Sequence, residues 1–253
     1  MHILVPMNAN KFKNYISFLD SERFGFPVAK FDKMPDDISG FVKMLSKNNV
    51  KLCIAKVPLV NMENLNTLET YGFAIKDIQV TYKYNIDDKL PSFTFDNETG
   101  IRDAKLSDKK SLEELAKNSF SNYGHYAADT RLPIKEIGEI YKEWARRSLE
   151  MKEVADKIIV AETEGQIVGF LTFKIHTEGK IKYAAGGLGC VHSKYRGRNI
   201  FPLLVLEGLK WGQSQGLAWE EHNVLINNYP VNNSFVKLGF KIHKSHATMH
   251  MWL

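Results

Sequence analysis

Two arginines and a glycine lie where an apolar segment meets a helical one, a pattern typical of anion binding. Arg196 and Arg198 flank Gly197, between the apolar, glycine-rich segment 181–191 and the leucine-rich segment 202–215. A helix start presents backbone N–H groups without intrahelical partners and the positive end of the helix dipole. With two guanidinium groups nearby, this junction predicts a seat for a phosphate or pyrophosphate.

The flanking segments predict the elements that position this loop. Segment 181–191 is typical of a buried strand that another backbone or a ligand approaches closely. In segment 202–215 the apolar residues recur at helical spacing, and Gly216 is a typical C-terminal stop. The glycines at 186–189 are not a dinucleotide-binding fingerprint, because no helix follows them directly.

The segment Val191–Ile200 resembles the acetyl-CoA signature of the GNAT N-acetyltransferase superfamily, in which an Arg/Gln-x-x-Gly-x-Gly/Ala loop holds the cofactor's pyrophosphate. Arg196 matches the first position. Asn199 and Phe201 stand where the family has Gly and Gly or Ala. Asn tolerates positive φ better than most residues, so Asn199 is expected to keep the loop geometry. The Phe201 ring is expected to crowd the pyrophosphate.

Segment 228–240 resembles a second GNAT pattern, Asn-x-x-Ala-x-x-Leu-Tyr-x-Lys-Leu-Gly-Phe. Asn228 and the run 237–240 are in register with it. Phe235 replaces the Tyr that in many members is the general acid for the departing thiolate, so that role is vacant here. A thiol with a pKa of about 8.5 is a tolerable leaving group, so the thiolate could also leave unaided. Two partial motifs in the family's order indicate the family more strongly than either alone.

The resemblance implies acetyl-CoA as the cofactor and direct acyl transfer as the reaction. The pantetheine arm would pair with strand backbone, whose N–H groups would also stabilise the oxyanion. The predicted cofactor-binding residues are Leu188, Gly189, Cys190, Val191, Arg196, Gly197, Arg198, Asn199, Ile200, Phe201, Asn228 and Phe235.

The acceptor amine must be neutral, so a base or a chain of water molecules should remove its proton. The candidates, by nearness to the two motifs, are His222 and Tyr229, with His192 as a third. The sequence does not choose among them. Cys190, amid glycines and valine, is interpreted as a small buried residue rather than a nucleophile. His243, His246 and His250 are not predicted to bind metal, because no carboxylate or Cys completes a site.

Segment 120–129, followed by Tyr141 and Trp144, resembles the corresponding segment of bacterial TDP-fucosamine acetyltransferases. The resemblance implies that the acceptor is the 4-amino group of a nucleotide-linked deoxyamino sugar. The residues that it implies for substrate binding are Tyr123, His125 and Tyr126. Two alternatives stay open. One is an acetyltransferase for another small amine, and the other is a non-catalytic acyl-CoA-binding relative, which the departures at 199, 201 and 235 motivate.

Composition bounds these interpretations. The chain has 253 residues, of which 44% are hydrophobic and 25% charged, as in a globular protein of one or two domains. A net charge of +5 suits anionic ligands such as coenzyme A or a nucleotide sugar. Basic residues are spread rather than grouped, so no nucleic-acid partner is expected.

Residues 1–10 lack a signal-peptide pattern, and no apolar run reaches the roughly 20 residues of a membrane span. Cys53 and Cys190 lie far apart in apolar runs and do not indicate a disulfide. These features predict a cytoplasmic protein without a membrane partner. Formation of a homodimer is left open.

An internal repeat predicts the domain organisation. Segment 67–75 aligns with 234–242 at an offset of 167, and in both a helix ends in Gly-Phe before an extended run. Upstream, 38–46 is predicted as a helix and 50–57 as a strand. The first 90 residues are therefore predicted to copy the distal half of a GNAT fold, without a phosphate loop or cofactor.

The predicted fold class is α/β: a GNAT fold with a mixed, mostly antiparallel sheet flanked by helices, plus an N-terminal degenerate GNAT-like half-domain. The predicted domains are residues 1–90 and 98–253, joined by a polar linker near 87–98. The second is predicted to run strand, two helices, three strands, helix, strand, helix, strand. Trp144, at helical spacing, is predicted to lie in the core.

Overall fold

The computed structural model describes residues 12–86, 89–92 and 99–253; for residues 134–136 it describes the backbone only. The predicted linker lies largely outside these residues, as does segment 1–10. The helices are α1 Phe18–Phe24, α2 Ile38–Lys47, α3 Met62–Thr70, α4 Lys109–Phe120, α5 Gly124–Ala127, α6 Ile134–Glu150, α7 Ile200–Ser214 and α8 Tyr229–Lys237. The strands are β1 Val28–Phe31, β2 Leu52–Pro58, β3 Ala74–Asn85, β4 Gly100–Asp103, β5 Lys157–Thr163, β6 Gln166–Glu178, β7 Ile181–Val191, β8 Trp219–Leu225 and β9 Lys241–Trp252.

The chain divides into two compact units, and the divisions fall within β3 and β9. The first unit comprises residues up to Gln79 together with Gly124–Leu132 and Ser245–Leu253. The second comprises Val80–Tyr123 and Pro133–Lys244. These units differ from the predicted domain limits, 1–90 and 98–253. The domain limits themselves stay a prediction. The difference arises because β9 pairs antiparallel with β2, so the C-terminal strand completes the first unit.

The second unit is built on a sheet in the order β3-β8-β7-β6-β5-β4. The strands β4 to β7 form an antiparallel meander, whereas β7 and β8 are parallel because helix α7 connects them. Helix α7 packs its leucines against Phe173 of β6 in the main core of this unit. The sheet is mixed and mostly antiparallel, and the element order is as predicted except for the additional short helix α5. The predicted fold class is confirmed.

The first unit repeats the distal half of the second in element order. Strands β1 and β2 are parallel across helix α2, and α3 and β3 follow, as α8 and β9 follow β7, α7 and β8. The turns after α3 and α8 match in detail. Phe73 N donates to Leu68 O and Phe240 N to Phe235 O, each at 3.0 Å. The preceding glycines, at 72 and 239, have φ of 88° and 84°. Such a turn ends a helix with a left-handed residue, which explains the repeated Gly-Phe.

Helix α2 begins on a capping interaction and buries one face. The Asp37 carboxylate accepts a hydrogen bond of 2.9 Å from Gly40 N, which satisfies an N–H at the helix start. Its buried residues, Phe41 and Leu45, have no exposed surface. The Phe41 ring lies edge-on against Tyr15 and Phe31 at 4.8 Å and 5.4 Å between centroids. The core of the first unit is therefore organised around this helix.

Trp144 corrects one prediction. Its side chain is 38% exposed, although helical spacing predicted a core position. It stacks on Tyr141 at 6.3 Å between ring centroids. The ring therefore covers the edge of an aromatic cluster that already includes the buried Phe120.

No helix within the described ranges combines the length and apolar character that crossing a bilayer requires.

Replacing Phe41 with Ala should lower the free energy of unfolding by about 3–5 kcal/mol, because a fully buried ring leaves a cavity. Phe18→Ala is the matched control, since the Phe18 side chain is 72% exposed and its loss should cost about 0.5 kcal/mol or less. Urea denaturation followed by circular dichroism measures both. Equal losses would show that α2 does not organise this core.

Candidate active site

Strands β7 and β8 lie side by side over a short stretch and then part. Their registered pairs run from Ala184–Glu220 to Gly186–His222. Both strands continue beyond this point, β7 to Val191 and β8 to Leu225. The end of β7 therefore has an open edge on the side of β8.

Hydrogen bonds decide which backbone groups face this open edge. On β7, Leu188 N donates to the Thr172 hydroxyl of β6, and just beyond the strand His192 N donates to Val168 O, both at 2.8 Å. Successive residues of a strand direct their backbone groups to opposite sides. Gly189 and Val191 therefore face the opening, while Leu188 and Cys190 face β6. This narrows the predicted stretch 188–191 to two residues that can pair with a ligand.

The glycines of β7 make room for neighbouring side chains. A Cβ on Gly186 would overlap the His222 ring, and one on Gly187 would lie 2.7 Å from the Thr172 hydroxyl. The sequence predicted close approach of a backbone or ligand to this segment. The structure shows that side chains of β6 and β8 approach it, and the approach of a ligand stays a prediction.

The loop after β7 turns twice through left-handed backbone. Gly197 has φ of 80° and Asn199 φ of 57°, as predicted for the Asn. Asn199 is the N-cap of α7, and Leu203 N donates to its carbonyl oxygen at 3.1 Å. The N–H groups of Ile200 and Phe201 open the helix and have no intrahelical acceptor. These two donors, with the helix dipole, fit an anion.

The two arginines of the loop are exposed and oriented by neighbours. Arg196 Nε donates to Val191 O at 3.2 Å, which fixes its guanidinium beside the end of β7. The Arg198 guanidinium lies over the Tyr195 ring at 5.1 Å from its centroid. Both charges flank the start of α7, so the predicted anion seat is assembled from consecutive parts of one segment.

Phe201 and Phe235 belong to the core. The Phe201 ring is half-buried and packs edge-on against Phe235 at 5.7 Å between ring centroids. It therefore turns towards the core, contrary to the expectation that it would crowd a pyrophosphate. Phe235, predicted to bind the cofactor, has no exposed surface. Its ring lies 5.2 Å from Tyr82 and 4.7 Å from His222 between centroids.

His222 lies where β7 and β8 part. Its Nε2 is 2.7 Å from Oε1 of Glu220, and both side chains are buried. Burial raises the pKa of Glu220, and the hydrogen bond and charge of His222 oppose that rise. The hydrogen bond to Glu220 therefore holds the His222 ring in one orientation inside the unit, as expected of an imidazole that transfers a proton.

The other candidates near the motifs differ in exposure. Tyr229, on the first turn of α8, is 69% exposed. His192 is half-buried, and its Nδ1 accepts from Lys194 N at 3.3 Å. Asn228 is the N-cap of α8 without a side-chain capping bond. Cys190 is buried, as interpreted from the sequence, and burial raises the pKa of its thiol to about 12.

Sequence reasoning missed Asn232, which fixes the chain before α8. Its side-chain Nδ2 donates to Leu225 O, Ile226 O and Asn228 O at 3.0, 3.2 and 2.9 Å. Asn232 lies inside the second motif, but its amide donates to carbonyl oxygens, whereas a helix-capping side chain accepts from N–H groups, so no capping pattern in the sequence indicates it.

The three predicted substrate-binding residues fall in different units. Tyr123 lies in the second unit, where its carbonyl oxygen accepts from the Tyr141 hydroxyl at 3.1 Å. His125 and Tyr126 lie in the first unit. The Tyr126 hydroxyl donates to Asp20 at 2.7 Å and accepts from Lys30 at 2.9 Å, so its polar atom is already used.

Among the described residues, no group of three or more His, Cys, Asp or Glu side chains is arranged to hold a metal ion. His250, one of the three C-terminal histidines, instead hydrogen-bonds through Nδ1 to the Asp129 carboxylate at 2.7 Å. This carboxylate partner was not foreseen from the sequence.

The open edge of β7 and the basic start of α7 both lie in the part of the chain that a protein-family comparison matches. In a comparison with protein families, residues 112–240 match the Acetyltransferase (GNAT) family. The match spans more than half of the chain, which belongs to this family. It is thus an acetyl-CoA-dependent N-acetyltransferase.

Solved structures share the fold. A GCN5-related N-acetyltransferase from Sphaerobacter thermophilus is 14% identical, with a TM-score of 0.64 over 91% of this chain and 74% of that one. A tandem GNAT protein from the clavulanic acid biosynthesis pathway, solved without AcCoA, is 16% identical, with a TM-score of 0.63 over 90% and 76%. A functionally unknown conserved protein from Staphylococcus epidermidis is 10% identical, with a TM-score of 0.58 over 94% and 90%. A comparison with curated proteins found no match.

Replacing Asn199 with Val should weaken coenzyme A binding by about tenfold, because a β-branched residue at this positive φ is strained and displaces the helix start. Asn199→Gly should bind as tightly as the unaltered protein. Isothermal titration calorimetry with coenzyme A measures both.

Asn49 supplies a matched control, since it is exposed, lies in the first unit and has φ of 56°. Asn49→Val should lower stability by about 1–2 kcal/mol and leave coenzyme A affinity unchanged. A loss of affinity in Asn49→Val equal to that in Asn199→Val would mean that strain acts through general stability.

Proposed function

We propose that this enzyme acetylates the amino group of a nucleotide-linked deoxyamino sugar by direct transfer. The observation that carries the transfer is the open edge of β7 next to the basic start of α7. Acetyl-CoA supplies the activated acetyl thioester. The residues fit its pyrophosphate, because two N–H donors, a helix dipole and two exposed guanidinium groups meet at one loop.

The chain's own groups have separable roles in this proposal. Arg196, Arg198 and the first N–H groups of α7 bind phosphate oxygens. The backbone groups of Gly189 and the N–H of Val191 pair with the amides of the pantetheine arm in the manner of an added strand. An N–H at this edge also stabilises the negative charge that develops on the carbonyl oxygen.

His222, oriented by Glu220, is the proposed group for proton transfer. It lies where the strands part, and a carboxylate holds its ring, as expected of an imidazole that takes a proton. Tyr229 is the second candidate because its exposed hydroxyl lies on the first turn of α8. Phe235 cannot give a proton to the thiolate, so the proposal lets that group leave unaided or with a proton from water.

The nucleotide-sugar acceptor rests on the likeness of segment 120–129 to TDP-fucosamine acetyltransferases and on the chain's net charge of +5. Nucleotide diphosphates are anions, and a positively charged protein attracts them. Tyr123, which belongs to the same unit as the coenzyme A loop, is the proposed substrate contact of this segment. His125 and Tyr126 belong to the first unit, and the Tyr126 hydroxyl is already bonded there.

An acetyltransferase for another small amine is the second candidate function. The observation that favours it is that the Tyr126 hydroxyl, which the resemblance implies for sugar binding, is already bonded to Asp20 and Lys30. Such an enzyme would release coenzyme A thiol with a small amine and with none of the nucleotide-linked amino sugars.

Arg196→Ala should weaken acetyl-CoA binding by about tenfold or more, because charge-assisted hydrogen bonds to phosphate contribute roughly 1.5–3 kcal/mol each. The control is Arg146→Ala, an exposed arginine on α6 that pairs with Glu150 at 3.2 Å. Calorimetry should give the control an unchanged affinity. Equal affinities for Arg196→Ala and the unaltered protein would remove the loop assignment.

With a panel of TDP- and UDP-linked amino sugars, the enzyme should release coenzyme A thiol only with accepted amines. His222→Gln should lower kcat by about 10²–10⁴-fold, the usual contribution of general acid–base catalysis, while Tyr229→Phe stays near the unaltered rate. Calorimetry with coenzyme A checks that both variants still bind the cofactor. The reverse pattern would assign the role to Tyr229, and turnover with a small amine but with none of these sugars would support the second candidate.

A further inference from the structure

The first unit contains a cavity of its own, of about 360 Å³. This volume lies within the range of pockets that hold small molecules. Its lining combines two apolar side chains with several polar ones of both charges. The lining residues are Lys30, Phe31, Asp32, Ile54, Lys56, Gln79, His125 and Thr248.

A chain of hydrogen bonds in the same unit fixes the proton on His125. Asp129 accepts from the Trp252 indole N–H at 2.9 Å and from His250 Nδ1 at 2.7 Å. A carboxylate only accepts, so Nδ1 of His250 carries the proton and its Nε2 accepts. His250 Nε2 lies 2.9 Å from His125 Nδ1, which therefore donates. The remaining polar atom of His125, Nε2, is left as an acceptor.

The surroundings keep these groups in the required states. Burial works against the ionised form of Asp129, but the hydrogen bonds from Trp252 and His250 outweigh it and hold its pKa below the ordinary value. Burial lowers the pKa of His250 despite Asp129. For His125, burial and then the neighbouring His250, Lys30 and Lys56 lower the pKa well below its ordinary value, against the opposing charge of Asp20. His125 is therefore a neutral acceptor at neutral pH.

A second buried carboxylate positions one of the cations. Asp20 is 1% exposed and pairs with the Lys30 ammonium, which also donates to the Tyr126 hydroxyl at 2.9 Å. Burial opposes ionisation of Asp20, but the charge and hydrogen bond of Lys30 lower its pKa. Lys30 is thereby held at the cavity wall at a low entropic cost for binding.

The lining therefore offers both signs of charge and a neutral acceptor. Lys30 and Lys56 can bind a carboxylate, with the Gln79 amide as a further donor. Asp32 and His125 Nε2 can accept from an amino group. A zwitterion matches this lining because each of its two charged groups meets side chains of the opposite charge.

We propose that this cavity binds a small zwitterion with one carboxylate and one amino group, such as a free amino acid. The site is separate from the coenzyme A loop, because every residue that forms it belongs to the first unit. His125 and Asp32 bind the amino group, and Lys30 and Lys56 bind the carboxylate. Asp129 and His250 act as positioning residues through His125.

The test titrates the full chain with the common amino acids and with 4-aminobutyrate, by calorimetry and by NMR of the histidine rings. We expect at least one of these probes to bind and to shift the His125 ring signals. L-lactate and ethanolamine, which each lack one of the two charged groups, should bind about tenfold or more weakly than the best probe. No binding by any zwitterion at about 10 mM would overturn the proposal, as would equal binding of L-lactate or ethanolamine.

Charge variants locate the site. Lys56→Met and Asp32→Asn, both at exposed positions, should each lower the affinity for the best-binding probe by about tenfold. Lys47→Met, at the end of α2, is the matched control and should change nothing. All three should bind coenzyme A unchanged, which distinguishes this site from the cofactor loop. Unaltered affinity for the probe in both cavity variants would overturn the assignment.

The hydrogen-bond chain has its own signature. Nitrogen NMR should show His125 and His250 neutral at pH 7, each protonated at Nδ1. Asp129→Asn should alter the tautomer of His250 and weaken binding of the probe. Asp129→Ala measures how much binding is lost when the side chain's packing is removed as well. A protonated His125 at pH 7, or the Nε2–H tautomer, would contradict the proposed acceptor.

Discussion

The site depends on one constraint, the parting of two parallel strands. As long as β7 and β8 pair, their backbone groups satisfy each other, and nothing is offered to a ligand. After Gly186 and His222 the pairing stops, and the groups of Gly189 and Val191 face an open edge. The register shift opposite β6, where Thr172 takes the N–H of Leu188, turns β7 at this point. The same strand then delivers Arg196 and the start of α7, so the opening and the anion seat come from one continuous segment.

The two units use the same order of strands and helices with opposite charges at the corresponding helix starts. Helix α7 begins next to Arg196 and Arg198, whereas α2 begins at Asp37, whose carboxylate already accepts from Gly40. A carboxylate at this place satisfies the N–H group and repels a phosphate. This difference gives a physical reason for the prediction that the first unit holds no coenzyme A. Its polar cavity is built elsewhere, on β1, β2 and the residues around His125.

Local patterns predicted much of the fold because the chain repeats itself. The Gly-Phe endings at 72–73 and 239–240 are the same helix-ending turn, and the helix predicted at 38–46 is observed at Ile38–Lys47. Asn199 was predictable from its tolerance of positive φ. Pairings between distant segments were not, because no local period encodes them: Asp129 with His250, and β9 with β2. Trp144 shows the same limit, since helical spacing identifies a face without saying how much of it is covered.

The pairing of β9 with β2 has a consequence for how this chain can change. The last strand of the second copy lies against a strand of the first over seven registered residues, from Leu52–Trp252 to Pro58–His246. Deletion of the first 90 residues would strip that strand of its neighbour, and loss of the last nine would open the first unit. The two units therefore do not follow one another along the sequence, since the first includes the C-terminal residues Ser245–Leu253. Neither the N-terminal nor the C-terminal part of the chain can be removed or exchanged without disrupting the first unit, to which both contribute a strand.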